Sequence, residues 1–252
     1  MIPQESNEGL PSGPSSNGHA GPPDLDVTTS YANPADALQH AVIPGGGSHG
    51  AGRFAFLGPP TEGGDLGRLG SYRVRALIGE GSLGLVFLAE DTELARPVAL
   101  KVIRPGLADE PTVRARFVRE AQATAAIKHD NIVTIYGVGR EGDILFLAME
   151  YLQGLSLQAW LSRGRKPSTD LVLRIGREVA SGLAAAHARG LVHRDIKPAN
   201  IWLESPSGRA KLLDFGIARS ERDDVEITRA GTVIGTPAYM APEQASGEVA
   251  GR

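Results

Sequence analysis

His193-Arg194-Asp195-Ile196-Lys197-Pro198-Ala199-Asn200 sets a carboxylate, an ammonium two residues on and an amide three further into one short stretch. Pro198 stiffens the segment between the ammonium and the amide, because its ring fixes one backbone dihedral. Phosphoryl transfer needs such a set: a group to orient a hydroxyl, a cation for the moving phosphate and an oxygen for a metal. Eight residues alone would also suit a surface turn, so the rest of the chain has to decide.

Fourteen residues past Asn200 stands Asp214-Phe215-Gly216, and Ala241-Pro242-Glu243 follows. In this order the chain resembles a bacterial-type serine/threonine protein kinase. The resemblance covers Tyr72 to Arg252. It implies an α+β, two-lobed protein-kinase-like fold, with a small β-rich N-lobe over residues 72–152 and a helical C-lobe over 153–252. That C-lobe is expected to be incomplete, since the family continues into further helices and the sequence ends nine residues after Glu243. Two functions are therefore carried. One is an ATP-dependent transfer of the γ-phosphate to protein serine or threonine hydroxyls. The other is a truncated nucleotide-binding or regulatory fragment with little or no catalysis.

Composition narrows the field. The 252 residues contain no cysteine, which excludes disulfides and thiolate metal sites and fits a cytoplasmic setting. A formal charge of -3 argues against bulk nucleic-acid binding. No run of about 18 apolar residues is present, so no membrane segment is expected. Met1 to Glu5 has neither the basic region nor the apolar core of a secretory signal.

Residues 1–71 read as a disordered leader. The first 70 residues hold 14 Gly, 9 Pro and 6 Ser, too little apolar surface to offset an ordering entropy of about 1–2 kcal/mol per residue. One apolar cluster, Phe54 to Leu57, suits either docking on the folded domain or a stray position in a linker.

Order is expected from Tyr72. A strand over Arg73–Ile78 leads into Gly79-Glu80-Gly81-Ser82-Leu83-Gly84-Leu85-Val86. Dinucleotide folds use the same glycine spacing, but there the third glycine opens a helix. Here an apolar run rich in strand formers follows, so the glycines belong to a hairpin tip where backbone N–H groups can approach phosphates. Val98–Lys101 is the next strand. Pro111 opens a helix to about Ile127, and strands are expected over 132–139 and 144–151. A long helix is expected over 168–189, with Val172, Ile175, Val179 and Leu183 as its core stripe.

The resemblance then distributes the roles. Lys101 would steady the phosphates and be held by Glu120. Asp195 would take the proton of the substrate hydroxyl, and Lys197 would neutralise the γ-phosphate. Asn200 and Asp214 would bind Mg²⁺. ATP would lie against Gly79, Glu80, Gly81, Ser82, Leu83, Gly84, Val86 and Ala99, with Met149 at the back of the pocket. Backbone groups of Glu150 and Leu152 would meet the adenine edge, Ser156 the ribose, and Trp202 would form a broader floor than the family's usual leucine. Lys197 and Gly235-Thr236 follow the serine/threonine pattern. Thr228 and Thr232 are the expected regulatory phosphosites, with Arg194 and Arg219 as a phosphate-binding pair and a dimer as the vehicle for phosphorylation in trans.

Overall fold

The structure is a computed structural model that describes residues 53–81, 84–104, 111–215 and 239–245. Its smaller lobe is a six-stranded antiparallel sheet of β1 (Gly67–Leu69), β2 (Tyr72–Glu80), β3 (Gly84–Asp91), β4 (Arg96–Ile103), β5 (Ile135–Glu141) and β6 (Ile144–Glu150). The spatial order is β1-β2-β3-β4-β6-β5. β4 lies inside the sheet, and every residue from Val98 to Ile103 is buried. A strand covered on both faces loses the alternation of apolar and polar residues. Lys101 is the one charge in that run, which makes its burial informative.

Helix α1 (Pro111–Ala125) packs on β5 and buries Phe117, Ala121 and Thr124. It belongs to a core that continues through Leu147 into the second lobe at Trp160, Leu212 and Phe215. A separate core on the other side of the sheet joins Phe54, Leu69, Val74, Phe87, Leu100 and Phe146.

Ordered structure begins before the boundary expected at residue 71. β1 pairs with β2, Gly67 facing Val74 and Leu69 facing Tyr72. The Phe54 to Leu57 cluster docks: Phe54 is buried and meets the Phe87 ring edge-on, with centroids 5.2 Å apart. Aromatic burial of this kind gives the segment the apolar contact that its glycines and prolines lack. Residues 1–52 lie outside the described residues.

The strand expected from Ile132 begins instead at Ile135. Residues 131–133 cross to the second lobe. Leu212 donates its N–H to the Asn131 carbonyl at 2.8 Å, and Val133 donates to the Leu212 carbonyl at 3.0 Å. That larger lobe contains β7 (Gly154–Ser156), α2 (Leu157–Leu161), α3 (Thr169–His187), a 3-10 turn at Pro198–Asn200, β8 (Ile201–Glu204), β9 (Ala210–Leu212) and α4 (Pro242–Ala245). Strands β7-β8-β9 form a small antiparallel sheet.

Ser168 caps α3 by accepting the Leu171 N–H at 3.3 Å. Its buried stripe is Leu171, Ile175, Gly182 and Ala186. Of the expected stripe, Ile175 is buried and Val179 and Leu183 are partly buried against the core, but Val172 is exposed and Leu171 takes its place. Gly182 lets α3 approach the crossing chain, where a Cβ would lie 3.0 Å from the Asn131 carbonyl oxygen. Among the described residues no helix is long and apolar enough to cross a membrane.

Candidate active site

The site lies where β4, the loop from His193 to Asn200 and Asp214 meet. β4 carries Lys101 opposite Val86 on β3 and Leu147 on β6. Lys101 is only 7% exposed. Its Nζ lies 2.6 Å from Asp214 Oδ1, joining the small lobe to the large one.

Two residues of the site hold left-handed backbone conformations without being glycine: Arg194 at φ 62° and Asp214 at φ 51°. Such conformations persist only where surrounding contacts over-determine them. Those contacts are visible. Leu213 donates its N–H to the Asn200 carbonyl at 2.9 Å. The buried His193 ring touches Phe215, with centroids 4.6 Å apart. Its Nδ1 accepts the Asp195 N–H at 3.3 Å, which leaves Nε2 to donate to the Leu213 carbonyl at 2.8 Å. Burial pushes the His193 pKa down, and the Leu213 contact offsets this only in part. His193 is therefore a neutral strut between the two segments. From the far side, Gln244 on α4 donates to the Arg194 carbonyl at 2.9 Å.

Asp195 Oδ2 accepts from Lys197 Nζ and from Asn200 Nδ2, both at 2.9 Å. Asn200 Nδ2 also reaches the Asp195 carbonyl at 2.8 Å. With its nitrogen committed to Asp195, the amide keeps Oδ1 as a donor oxygen for a cation. Together with the Asp214 carboxylate this gives an all-oxygen pair, the chemistry that a hard divalent ion takes.

Glu120 does not meet Lys101, contrary to expectation. Its Oε2 is buried and has no hydrogen-bond partner. The side chain lines a cavity of about 320 Å³ with Arg116, Arg119, Arg194 and Phe215. Burial raises the carboxyl pKa, and the charges of Arg194, Arg116 and Arg119 act against that rise. The position of the whole helix sets this outcome. Phe117 and Ala121 seat α1 where Glu120 opens toward the catalytic loop.

The remaining expected contacts divide. Gly79 and Glu80 end β2 and Gly81 follows, its N–H donating to the Gly84 carbonyl at 2.9 Å. A Cβ on Gly84 would run into the Val102 carbonyl oxygen, so glycine is required there. Ala99 pairs with Met149, and Val98 with Glu150. The Glu150 carboxylate accepts from Thr134 N–H at 2.7 Å and from Lys211 Nζ at 2.8 Å. Leu152 follows, half-buried. The Ser156 hydroxyl caps α2, accepting the Ala159 N–H at 3.1 Å, and keeps its O–H to donate. Trp202 faces Ser156 across β7–β8 and donates its indole N–H to the Gln153 carbonyl at 3.2 Å. Ser82, Leu83, Arg219, Thr228, Thr232 and Thr236 lie outside the described residues. Sequence reasoning missed Lys211, Gln153 and Gln244, since nothing in their local sequence marks their distant partners.

The sequence model of the protein kinase domain matches residues 72–252. The chain is 45% identical over 183 residues to the serine/threonine-protein kinase pkn3 of Myxococcus xanthus, covering 70% of this chain and 34% of that protein. It is 39% identical over 181 residues to the serine/threonine-protein kinase PrkC of Bacillus subtilis, covering 72% of this chain and 28% of that one. The crystal structure of the Mycobacterium tuberculosis PknI kinase domain superimposes with a TM-score of 0.59 at 31% identity, over 73% of this chain and 68% of that one. The chain thus spans about a third of the length of pkn3 and less of PrkC.

Proposed function

The chain belongs to the protein kinase family, and from that premise we propose that it transfers the γ-phosphate of ATP to serine or threonine hydroxyls of proteins. The observation that carries the reading is the convergence of Lys197 and Asn200 on Asp195, in a loop held beside the Lys101–Asp214 pair. Phosphoryl transfer asks mostly for positioning and charge neutralisation, and each group has a part in that.

Asp195, already an acceptor of two hydrogen bonds, orients the substrate hydroxyl and takes its proton. Lys197 neutralises charge as the phosphoryl group moves. Lys101 steadies the ATP phosphates. Asn200 Oδ1 and the Asp214 carboxylate would hold Mg²⁺, which would supply charge neutralisation to the phosphates. The turn from Gly79 to Gly84 offers backbone N–H groups, Ala99 and Val86 form the roof, Trp202 the floor and Met149 the back. Backbone groups of Glu150 and Leu152 meet the adenine edge. Residues 72–252 act as the kinase domain, with proteins as acceptors and a second copy phosphorylating in trans.

A second reading, nucleotide binding with little turnover, is favoured by one observation: Lys101 is held by Asp214 and not by Glu120. The two are separated by measuring Mg·ATP binding calorimetrically and phosphate transfer to serine-, threonine- and tyrosine-containing peptides. Binding with transfer to serine or threonine, abolished by Asp195→Asn, supports the kinase. Binding without transfer supports the second reading, and absence of both overturns the proposal.

A further inference from the structure

The segment ahead of the family match is built onto the nucleotide turn. Glu80, the last residue of β2, is held from two sides. Arg53 Nη2 lies 2.7 Å from Glu80 Oε2, and Arg104 Nη2 lies 3.2 Å from Glu80 Oε1. Arg104 also donates to the Gly81 carbonyl, from Nη2 at 3.0 Å. One arginine comes from before the sheet and the other from the end of β4. The Glu80 carboxylate and the Gly81 carbonyl are thereby both occupied.

Arg53 is not a loose side chain. The adjacent Phe54 is buried against Phe87 on β3, and Phe56 meets the same ring with centroids 6.2 Å apart. The Arg53 guanidinium carbon stands 5.5 Å from the Phe54 ring centroid. Further along, Gly58 and Arg68 exchange backbone hydrogen bonds at 2.8 and 3.0 Å. Asp65, with its side chain fully buried, accepts from Arg75 at 2.8 Å, and Glu62 pairs with Arg73. The strap is therefore fixed at both ends to the two strands that flank the turn, which lowers the entropy lost in holding Arg53 on Glu80.

Resting on the kinase reading above, we propose that Arg53 is a positioning residue for ATP. With Arg104 it clamps Glu80 and so holds Gly79, Gly81 and Gly84 at the distance from Lys101 that the phosphates require. The pair is about half exposed, so the effect is that of a surface ion pair with a preorganised partner.

The test uses the full 252-residue chain as wild type, Arg53→Ala, Arg53→Lys, Glu80→Ala and the Arg53→Ala/Glu80→Ala double variant. Arg53→Ala should raise KM for ATP about two- to five-fold with kcat unchanged. Arg53→Lys should restore most of it, and the double variant should be no worse than Glu80→Ala alone. Without nucleotide, amide hydrogen exchange at Gly79, Glu80, Gly81 and Gly84 should quicken by the same factor, and added salt should erase the difference. Unchanged exchange in Arg53→Ala overturns the clamp. So does a fall in kcat and melting temperature together, which would mark a general structural role. A wild type that binds no ATP removes the kinase reading, and the clamp is then judged by exchange alone.

Discussion

Lys101 Nζ sits 2.6 Å from Asp214 Oδ1 while Glu120, on the helix packed beside β5, keeps a buried carboxylate oxygen without a hydrogen-bond partner. The ammonium is committed to Asp214, while Glu120 faces Arg116, Arg119 and Arg194 across a separate cavity. On the kinase reading proposed above, Lys101 would pass from Asp214 to Glu120 when Asp214 faces a cation. Glu120→Gln is therefore expected to lower phosphotransfer by about 10²-fold through misplaced phosphates. It should leave the melting temperature at neutral pH unchanged or higher, because a buried, unsatisfied charge is removed. A phosphotransfer assay beside a thermal melt checks both halves; a large loss of stability would mean Glu120 is paired in the resting protein.

Lys101→Met keeps bulk and removes the charge. Transfer should fall about 10²–10³-fold, the usual cost of one preorganised electrostatic group. The variant also removes the ammonium that faces Asp214, so Mg²⁺-dependent ATP affinity is the more diagnostic measurement. Unchanged affinity and turnover would remove Lys101 from the site.

Asp195→Asn and Asp214→Asn should fail differently. The first removes the proton acceptor, at a cost of about 10²–10⁴-fold in rate, and leaves ATP binding close to wild type. The second removes a cation ligand and should weaken binding only when Mg²⁺ is present. Titrations with and without Mg²⁺ separate them, and identical defects would end the division of roles.

The catalytic loop was readable because Asp195, Lys197 and Asn200 are near neighbours in sequence, so their mutual contacts are local. Lys101 was readable as a lone charge in an apolar strand. Glu120 was not, because whether it reaches Lys101 depends on how the whole of α1 is seated by Phe117 and Ala121. The docking of Phe54 was equally undecidable, since it rests on Phe87, far along the chain. Ser156 is different. A serine just before Leu157-Gln158-Ala159-Trp160 is itself a helix-capping signal, and the cap it makes is set by residues adjacent in sequence.

Phe54→Ala tests how much the strap adds to the small lobe. Truncating a buried phenylalanine costs about 3 kcal/mol at the lower end of the usual range. For a chain of this size that is a fall of about 6–12 °C in melting temperature. Phe54→Leu should recover more than half of it. A loss under about 1 °C in Phe54→Ala would show that the docking is loose.

The last prediction concerns pH. His193 is buried and neutral, with a folded pKa below its ordinary value of 6.5, and desolvation is the main cause. The unfolded chain takes up a proton near that ordinary value while the fold does not. Stability from this residue is therefore complete above about pH 6.5 and is lost as pH falls through the folded value, at up to about 1.4 kcal/mol per pH unit. Glu120 acts in the opposite sense, since its folded pKa is raised above 4.5. Its contribution is present below that value and is lost as pH rises through the folded one. Between about pH 8 and pH 5 the His193 effect should come first on acidification, so the wild type should lose melting temperature from about pH 6.5 downward. His193→Gln keeps an N–H for the Leu213 carbonyl and cannot titrate. It should melt lower than wild type at pH 8, and the gap should narrow steadily toward pH 5. Parallel curves for the two proteins would show that His193 protonates as easily in the fold as out of it, and its assignment as a neutral strut would fail.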